Sequence, residues 1–200
     1  MEIIKLVCGL LQTNSYIIKK NKVILIDPTG RIEKMESYFS DCELVAVLLT
    51  HGHFDHIKTV DKLYAKYHMP ICLNKGDHEL VKDEKEYQNN IKIFGTSAMI
   101  KSPIIDIEEG EQKISNFDFT VFHTPGHTMG SVIYLFDDNL FTGDTLFKDS
   151  VGRTDLKGGN EKMLKDSLRF IKTLNPSLKV LPGHGESSTL EIELNNNIYL

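Results

Sequence analysis

Residues 50–56 read THGHFDH and place His51, His53, Asp55 and His56 within six positions. Imidazole nitrogens and carboxylate oxygens are ligands for zinc and similar borderline divalent ions. Crowded together without a cation they would make poor core material, because each polar group removed from water needs its own partner. Three later stretches repeat one arrangement, a β-type run ending at a short glycine-containing loop that presents His or Asp. They are TPGHT with His127, FTGDT with Asp144 and LPGHGE with His184. Singly, each would pass for an ordinary loop histidine or turn aspartate. Taken together, the seven residues read as metal ligands. Seven exceed what one catalytic zinc uses, about three protein ligands with one position kept for water. The expectation is two divalent ions, zinc first, with iron or manganese able to occupy the same donors.

The elements that must position these loops follow from periodicity. Alternating or β-branched runs predict strands at Glu2 to Val7, Asn14 to Lys19, Val23 to Ile26 and Leu44 to Leu49. Asp27-Pro28-Thr29-Gly30 reads as a turn, after which Ile32, Met35 and Phe39 have helical spacing. Beyond the His-rich loop, Ile57, Val60, Leu63, Tyr64 and Tyr67 share one face of a helix that ends at Pro70. Residues 76–101 are polar and helical in character, and are expected to cover one side of the site. Strands return as FDFTVFHT, SVIYLF and NLFTG. Asn160 is a plausible N-cap for a helix carrying Met163, Leu164, Leu168 and Ile171. A short strand from Lys179 to Leu181 and an amphipathic segment from Leu190 to Tyr199 follow. Strand and helix alternate in each half, which predicts an α/β protein with two halves packed sheet to sheet and helices outside.

The 200 residues suit one domain, taken as 1–200, with no linker rich in Gly, Ser or Pro to divide it. No apolar run approaches the length of a membrane span, and the first twenty residues alternate like a strand instead of forming an export signal. Cys8, Cys42 and Cys72 lie outside any C-x-x-C spacing, as expected of reduced thiols. A cytoplasmic location is expected. A net charge of -5 without a Lys/Arg cluster argues against a broad nucleic-acid surface, leaving a small molecule as the expected partner.

H-x-H-x-D-H followed in order by HTPGHT, TGD and PGHG resembles the metallo-β-lactamase superfamily, and within it the glyoxalase II-like hydrolases. Asn14-Ser15-Tyr16, FKDSVGRTDLKGGN and STLEIELNNNIYL extend the resemblance over essentially the whole chain. It implies an αββα sandwich with the site at one edge. His51, His53 and His127 would hold one ion, Asp55, His56 and His184 the other, and Asp144 would bridge them. The implied reaction is hydrolysis of a thioester such as S-lactoylglutathione, with Asp55 orienting the attacking water as well as binding metal. Arg153 falls where such enzymes carry a basic residue near the thiol peptide. It is a candidate for a substrate carboxylate, and equally a structural partner of Asp155.

Two departures stand out. The helical domain that follows in longer glyoxalase II proteins and supplies glutathione contacts has no counterpart in these 200 residues, and Lys58-Thr59 replaces a frequent Gly-Gly. His123 reads as structural. One rival within the family is a persulfide dioxygenase with a single iron on His51, His127 and Asp144. Another, of a different class, is a metal-binding fold used for partner interaction without turnover.

Overall fold

Successive strand residues point to opposite faces, and Tyr16-Ile17-Ile18 shows where each face goes. In the computed structural model, which describes residues 1–200, Tyr16 and Ile18 pack with Phe119, Tyr134 and Phe141. Ile17 packs instead with Met35, Phe39 and Leu63. One face therefore meets a second sheet and the other meets helices. The first sheet is built in spatial order from β1 (Glu2–Cys8), β2 (Thr13–Lys19), β3 (Lys22–Ile26), β4 (Glu43–Leu48), β5 (Ile71–Leu73) and β6 (Ile105–Asp106). Its first three strands are antiparallel, and pairing is parallel from β3 onward. Helices α1 (Ile32–Glu36), α2 (Phe54–Ile57) and α3 (Val60–Tyr67) belong to this half.

The second half contributes β7 (Gly110–Ile114), β8 (Phe117–His123), β9 (Val132–Phe136), β10 (Asn139–Gly143), a small ribbon of β11 (Leu146–Phe147) and β12 (Ser150–Val151), then β13 (Lys179–Pro182) and β14 (Ser188–Thr189). The second sheet runs β14-β13-β10-β9-β8-β7. Its outer residues Ile133, Leu140 and Val180 pack with Leu164, Leu168 and Ile171 of α5 (Glu161–Ile171) and with Leu190 at the start of α6 (Leu190–Asn196). Asn160 caps α5 as expected, its side chain accepting from Met163 N–H at 3.0 Å. This is the αββα layering that the sequence predicts. It also explains why β3 (KVILI) and β4 (ELVAVL) read as nearly unbroken apolar runs, and why even polar Thr13, Asn14 and Ser15 of β2 and Asn139 and Thr142 of β10 are buried, since both faces are covered.

Three details differ from expectation. The helix predicted after the His-rich loop is two helices, α2 and α3, parted at Lys58-Thr59. Thr59 turns out of helical geometry, and its amide and hydroxyl both donate to the Pro28 carbonyl, at 3.4 and 2.7 Å. Strands β5, β6 and β7 were not foreseen: the first two span three and two residues, too few to display a period, and β7 is a polar edge strand. The segment 76–101 is less helical than expected, comprising α4 (Glu84–Phe94) and short 3₁₀ turns within irregular chain. No helix is long and apolar enough to cross a membrane.

Candidate metal centre

The seven residues singled out in the sequence all lie just beyond the C-terminal ends of β4, β8, β10 and β13. His51 follows β4, His53 occupies the N-cap position of α2, and Asp55 and His56 lie in its first turn. His127 stands in the β8–β9 connection, Asp144 follows β10 directly and His184 follows β13. Gly183 is indispensable beside them, since a Cβ there would land on Asp144 Oδ1 and within 2.8 Å of His56.

The structure gathers these side chains into two groups with one carboxylate between them. His51, His53 and His127 bring one nitrogen each within 4.8 Å of the others, as do the donor atoms of Asp55, His56 and His184. Asp144 reaches both groups. Its Oδ1 is 3.4 Å from His56 Nε2, and its Oδ2 is 3.4 Å from His184 Nε2 and 3.5 Å from His127 Nε2.

Partners behind the rings decide which nitrogen faces inward. His127 Nδ1 donates to the Arg153 carbonyl at 2.7 Å and His184 Nδ1 to the Leu11 carbonyl at 3.0 Å. His56 Nδ1 lies 2.9 Å from Asp27 Oδ2, and His51 Nδ1 lies 3.0 Å from the Thr50 hydroxyl. Each of these contacts leaves Nε2 free to converge on the cluster, the usual way a ligating imidazole is oriented. His53 is the exception: its Nδ1 faces inward, 2.8 Å from His127 Nε2.

Electrostatics separate the two groups. Burial, with the neighbouring imidazoles, pushes His51 well below the ordinary imidazole range and His53 down to about 3. Burial opposes charge on His56 too, but Asp55, Asp144 and Asp27 outweigh it and raise His56 to about 9. Against the same burial, Asp144 and Asp55 raise His184 to about 11. Burial likewise works against the carboxylates, yet His56 and His184 hold Asp144 at about 2 and Asp55 well below the usual carboxylate range.

The donor set fits divalent metal. His51 Nε2 and Asp144 Oδ1 are buried and make no hydrogen bond within the protein, although a buried polar atom normally has a partner. Both belong to the cluster, where a cation would satisfy them. Three imidazoles on one side and two imidazoles with carboxylates on the other are ordinary donor sets for zinc or iron.

Several residues that build the centre were missed in the sequence. Asp27, read there only as part of a turn, is 1% exposed and accepts from Thr50 N–H at 2.8 Å and Thr50 O–H at 2.6 Å besides holding His56. An acid directly after an apolar strand was the available signal. Thr13 donates its hydroxyl to Asp55 Oδ2 at 2.8 Å, and nothing in its local sequence marks it. Buried Asp77 had no signal either.

Arg153 is drawn toward the cluster through its backbone, while its guanidinium forms a two-pronged pair with Asp155 at 2.6 Å on each arm, exposed to solvent. α4 lies against the His53–Phe54 corner, with the rings of Phe54 and Phe94 5.3 Å apart and Tyr87 and Asn90 lining a small crevice there. It covers one flank, as expected of the middle segment.

A model of the metallo-beta-lactamase superfamily matches residues 8–184. The chain belongs to the metallo-beta-lactamase superfamily. Within it, the chain is 34% identical over 199 residues to the Bacillus subtilis protein described as "Probable metallo-hydrolase YqgX", covering 96% of this chain and 94% of that one. Among solved structures it is similar to the B3 metallo-beta-lactamase BLEG-1, with TM-score 0.92, 32% identity and coverage of 100% and 99%. It is also similar to TTHA1623 in a di-iron-bound form, with TM-score 0.89, 34% identity and coverage of 98% and 100%. Membership in the superfamily places the chain among metallo-hydrolases, with a His/Asp cluster able to bind divalent metal.

Proposed function

We propose that the protein is a dinuclear metal-dependent hydrolase of the glyoxalase II-like branch, acting on a thioester. The observation that carries this reading is the presence of two ligand groups, His51/His53/His127 and Asp55/His56/His184, with Asp144 between them. A single-iron dioxygenase, which would retain much of the same motif, would load only His51, His127 and Asp144, so the number of bound ions separates the two readings. Two bound cations would lower the pKa of a water and polarise the carbonyl. The chain's own residues fix the geometry around that chemistry. Asp55, held by the Thr13 hydroxyl, orients the attacking water. Once the water has given up one proton to solvent, its oxygen adds to the carbonyl carbon and the C–S bond then breaks, giving a free acid and a thiolate whose moderate pKa lets it leave without a strong general acid. The Arg153 guanidinium stands where it could exchange Asp155 for a substrate carboxylate, because an exposed ion pair contributes little and opens readily.

The decisive experiment is metal analysis with three assays on one preparation: S-lactoylglutathione hydrolysis, oxygen uptake with glutathione persulfide, and hydrolysis of a β-lactam, the last prompted by the likeness to BLEG-1. About two ions per chain with thioester cleavage is the expected result. One iron with oxygen uptake would overturn it in favour of the dioxygenase, and metal without any turnover would favour a binding role.

A further inference from the structure

Asp77 ends a 3₁₀ turn (Lys75–Asp77) and is 1% exposed. Its Oδ2 accepts from the Gly52 amide at 2.8 Å and from the Thr128 hydroxyl at 2.7 Å, while its Oδ1 accepts from the Gly130 amide at 2.7 Å. Gly52 separates His51 from His53, and Thr128 follows His127. One buried carboxylate thus spans two loops, one from each sheet, whose imidazoles meet at 2.8 Å through His53 Nδ1 and His127 Nε2.

Packing gives an independent sign that this junction is built. A Cβ on Gly130 would stand 2.6 Å from the Asp77 nitrogen, one on Gly76 would stand 2.7 Å from the Met129 carbonyl carbon, and one on Gly52 would stand 2.8 Å from Val81 Cγ1. The backbones at Gly76 and Gly130 thus come together more closely than side chains would permit, and Gly52 is held tightly against Val81 and the Asp77 Cβ, 3.2 Å from where its own Cβ would stand. Burying a carboxylate is costly unless its oxygens are satisfied, and here three donors meet it.

We propose that Asp77 is a positioning residue that sets the separation of His53 and His127 and thereby fits the first group to its ion. The inference rests on the reading of His51, His53 and His127 as an ion site. Asp77 touches none of these rings and acts through the Gly52 peptide and the Thr128–Gly130 turn. Asparagine is a sharp probe because its amide has one accepting oxygen, so its NH2 would face an N–H or O–H donor.

Metal-free protein is titrated with Zn²⁺ against a chromophoric chelator and with Co²⁺ followed by absorption, alongside thermal melts; His53→Ala serves to assign the signals of the two sites. In Asp77→Asn the ion on His51/His53/His127 is expected to bind about 10–100-fold more weakly and its Co²⁺ spectrum to change, while the other ion stays within about twofold. Thr128→Val, which removes one of the three donors and keeps the side-chain shape, should shift the same ion in the same direction by less, and it decides the matter if Asp77→Asn does not fold. Wild-type affinities at both sites, or equal weakening of both in step with a lower melting temperature, would overturn the proposal. Wild-type protein that takes up no ion sinks the metal reading and this inference together, whereas two ions in the wild type and an unaffected variant sink the inference alone.

Discussion

The two halves of the metal centre solve opposite electrostatic problems. His51, His53 and His127 form a group of imidazoles alone, in which burial and mutual repulsion keep His51 and His53 uncharged at neutral pH. Asp55, His56 and His184, with Asp144 beside them, form a group in which carboxylates outweigh burial and hold protons on both imidazoles. Before metal arrives, His51 and His53 are uncharged, with His53 Nδ1 already 2.8 Å from His127 Nε2; the second group already carries positive charge where a cation would sit. Ligand count alone therefore does not describe the centre. On the dinuclear reading, an ion entering the second group must displace protons from His56 and His184, whereas one entering the first need displace none from His51 and His53.

Asp144→Ala removes the side chain that both groups share and tests the comparison most severely. Hydrolysis is expected to fall on the order of 10³-fold, with less than about two ions retained by elemental analysis. His53→Ala should leave the fold largely intact and empty only the first group, again with loss of hydrolysis. Near-wild-type turnover in either variant would sink the dinuclear mechanism.

The pH dependence of metal uptake sharpens the contrast. His56 and His184 are raised from 6.5 to about 9 and about 11, so in metal-free protein their stabilising contribution is complete below 6.5 and is lost as pH rises through about 9 to 11. Their protons are still bound at about pH 8, and uptake by the second group should release about two protons, tightening up to about 100-fold per pH unit; uptake by His51 and His53 should release none. Calorimetric titration in two buffers of different ionisation enthalpy measures the difference, and equal release at both sites would erase it. Asp27→Asn comes next. It withdraws the carboxylate behind His56 and should cost about 10–100-fold in affinity at the second group, with a smaller loss at the first, because Asp27 reaches His51 only through the Thr50 hydroxyl.

The same contrast bears on what could be read in advance. All seven ligand candidates were legible because His and Asp recur at one kind of place, the glycine-containing end of a strand. The layering was legible because strands such as β3 (KVILI) and β4 (ELVAVL) carry nearly continuous apolar runs. What stayed hidden were the supports. Asp27, Asp77 and Thr13 act on partners 23 to 53 residues away, as in Thr50 to Asp27, Gly130 to Asp77 and Thr13 to Asp55; local pattern carries no record of such partners, and only Asp27, an acid directly after an apolar strand, left any local signal. The break between α2 and α3 was hidden for the same reason, since it depends on Thr59 bonding to Pro28 across the fold.

Arg153 offers the finest test, because its backbone and side chain serve different regions. The carbonyl holds His127 in the first group, and the guanidinium faces outward to Asp155. Arg153→Ala keeps the carbonyl, so metal content and the orientation of His127 should be unchanged, and kcat with them. If the guanidinium receives a substrate carboxylate, KM should rise by a few-fold to about tenfold, the loss of one exposed charged contact that binds ground state and transition state alike. An unchanged KM would assign the side chain to Asp155 alone. A fall in kcat would mean that removing the ion pair lets the loop move, so that even this exposed side chain helps hold His127 in place.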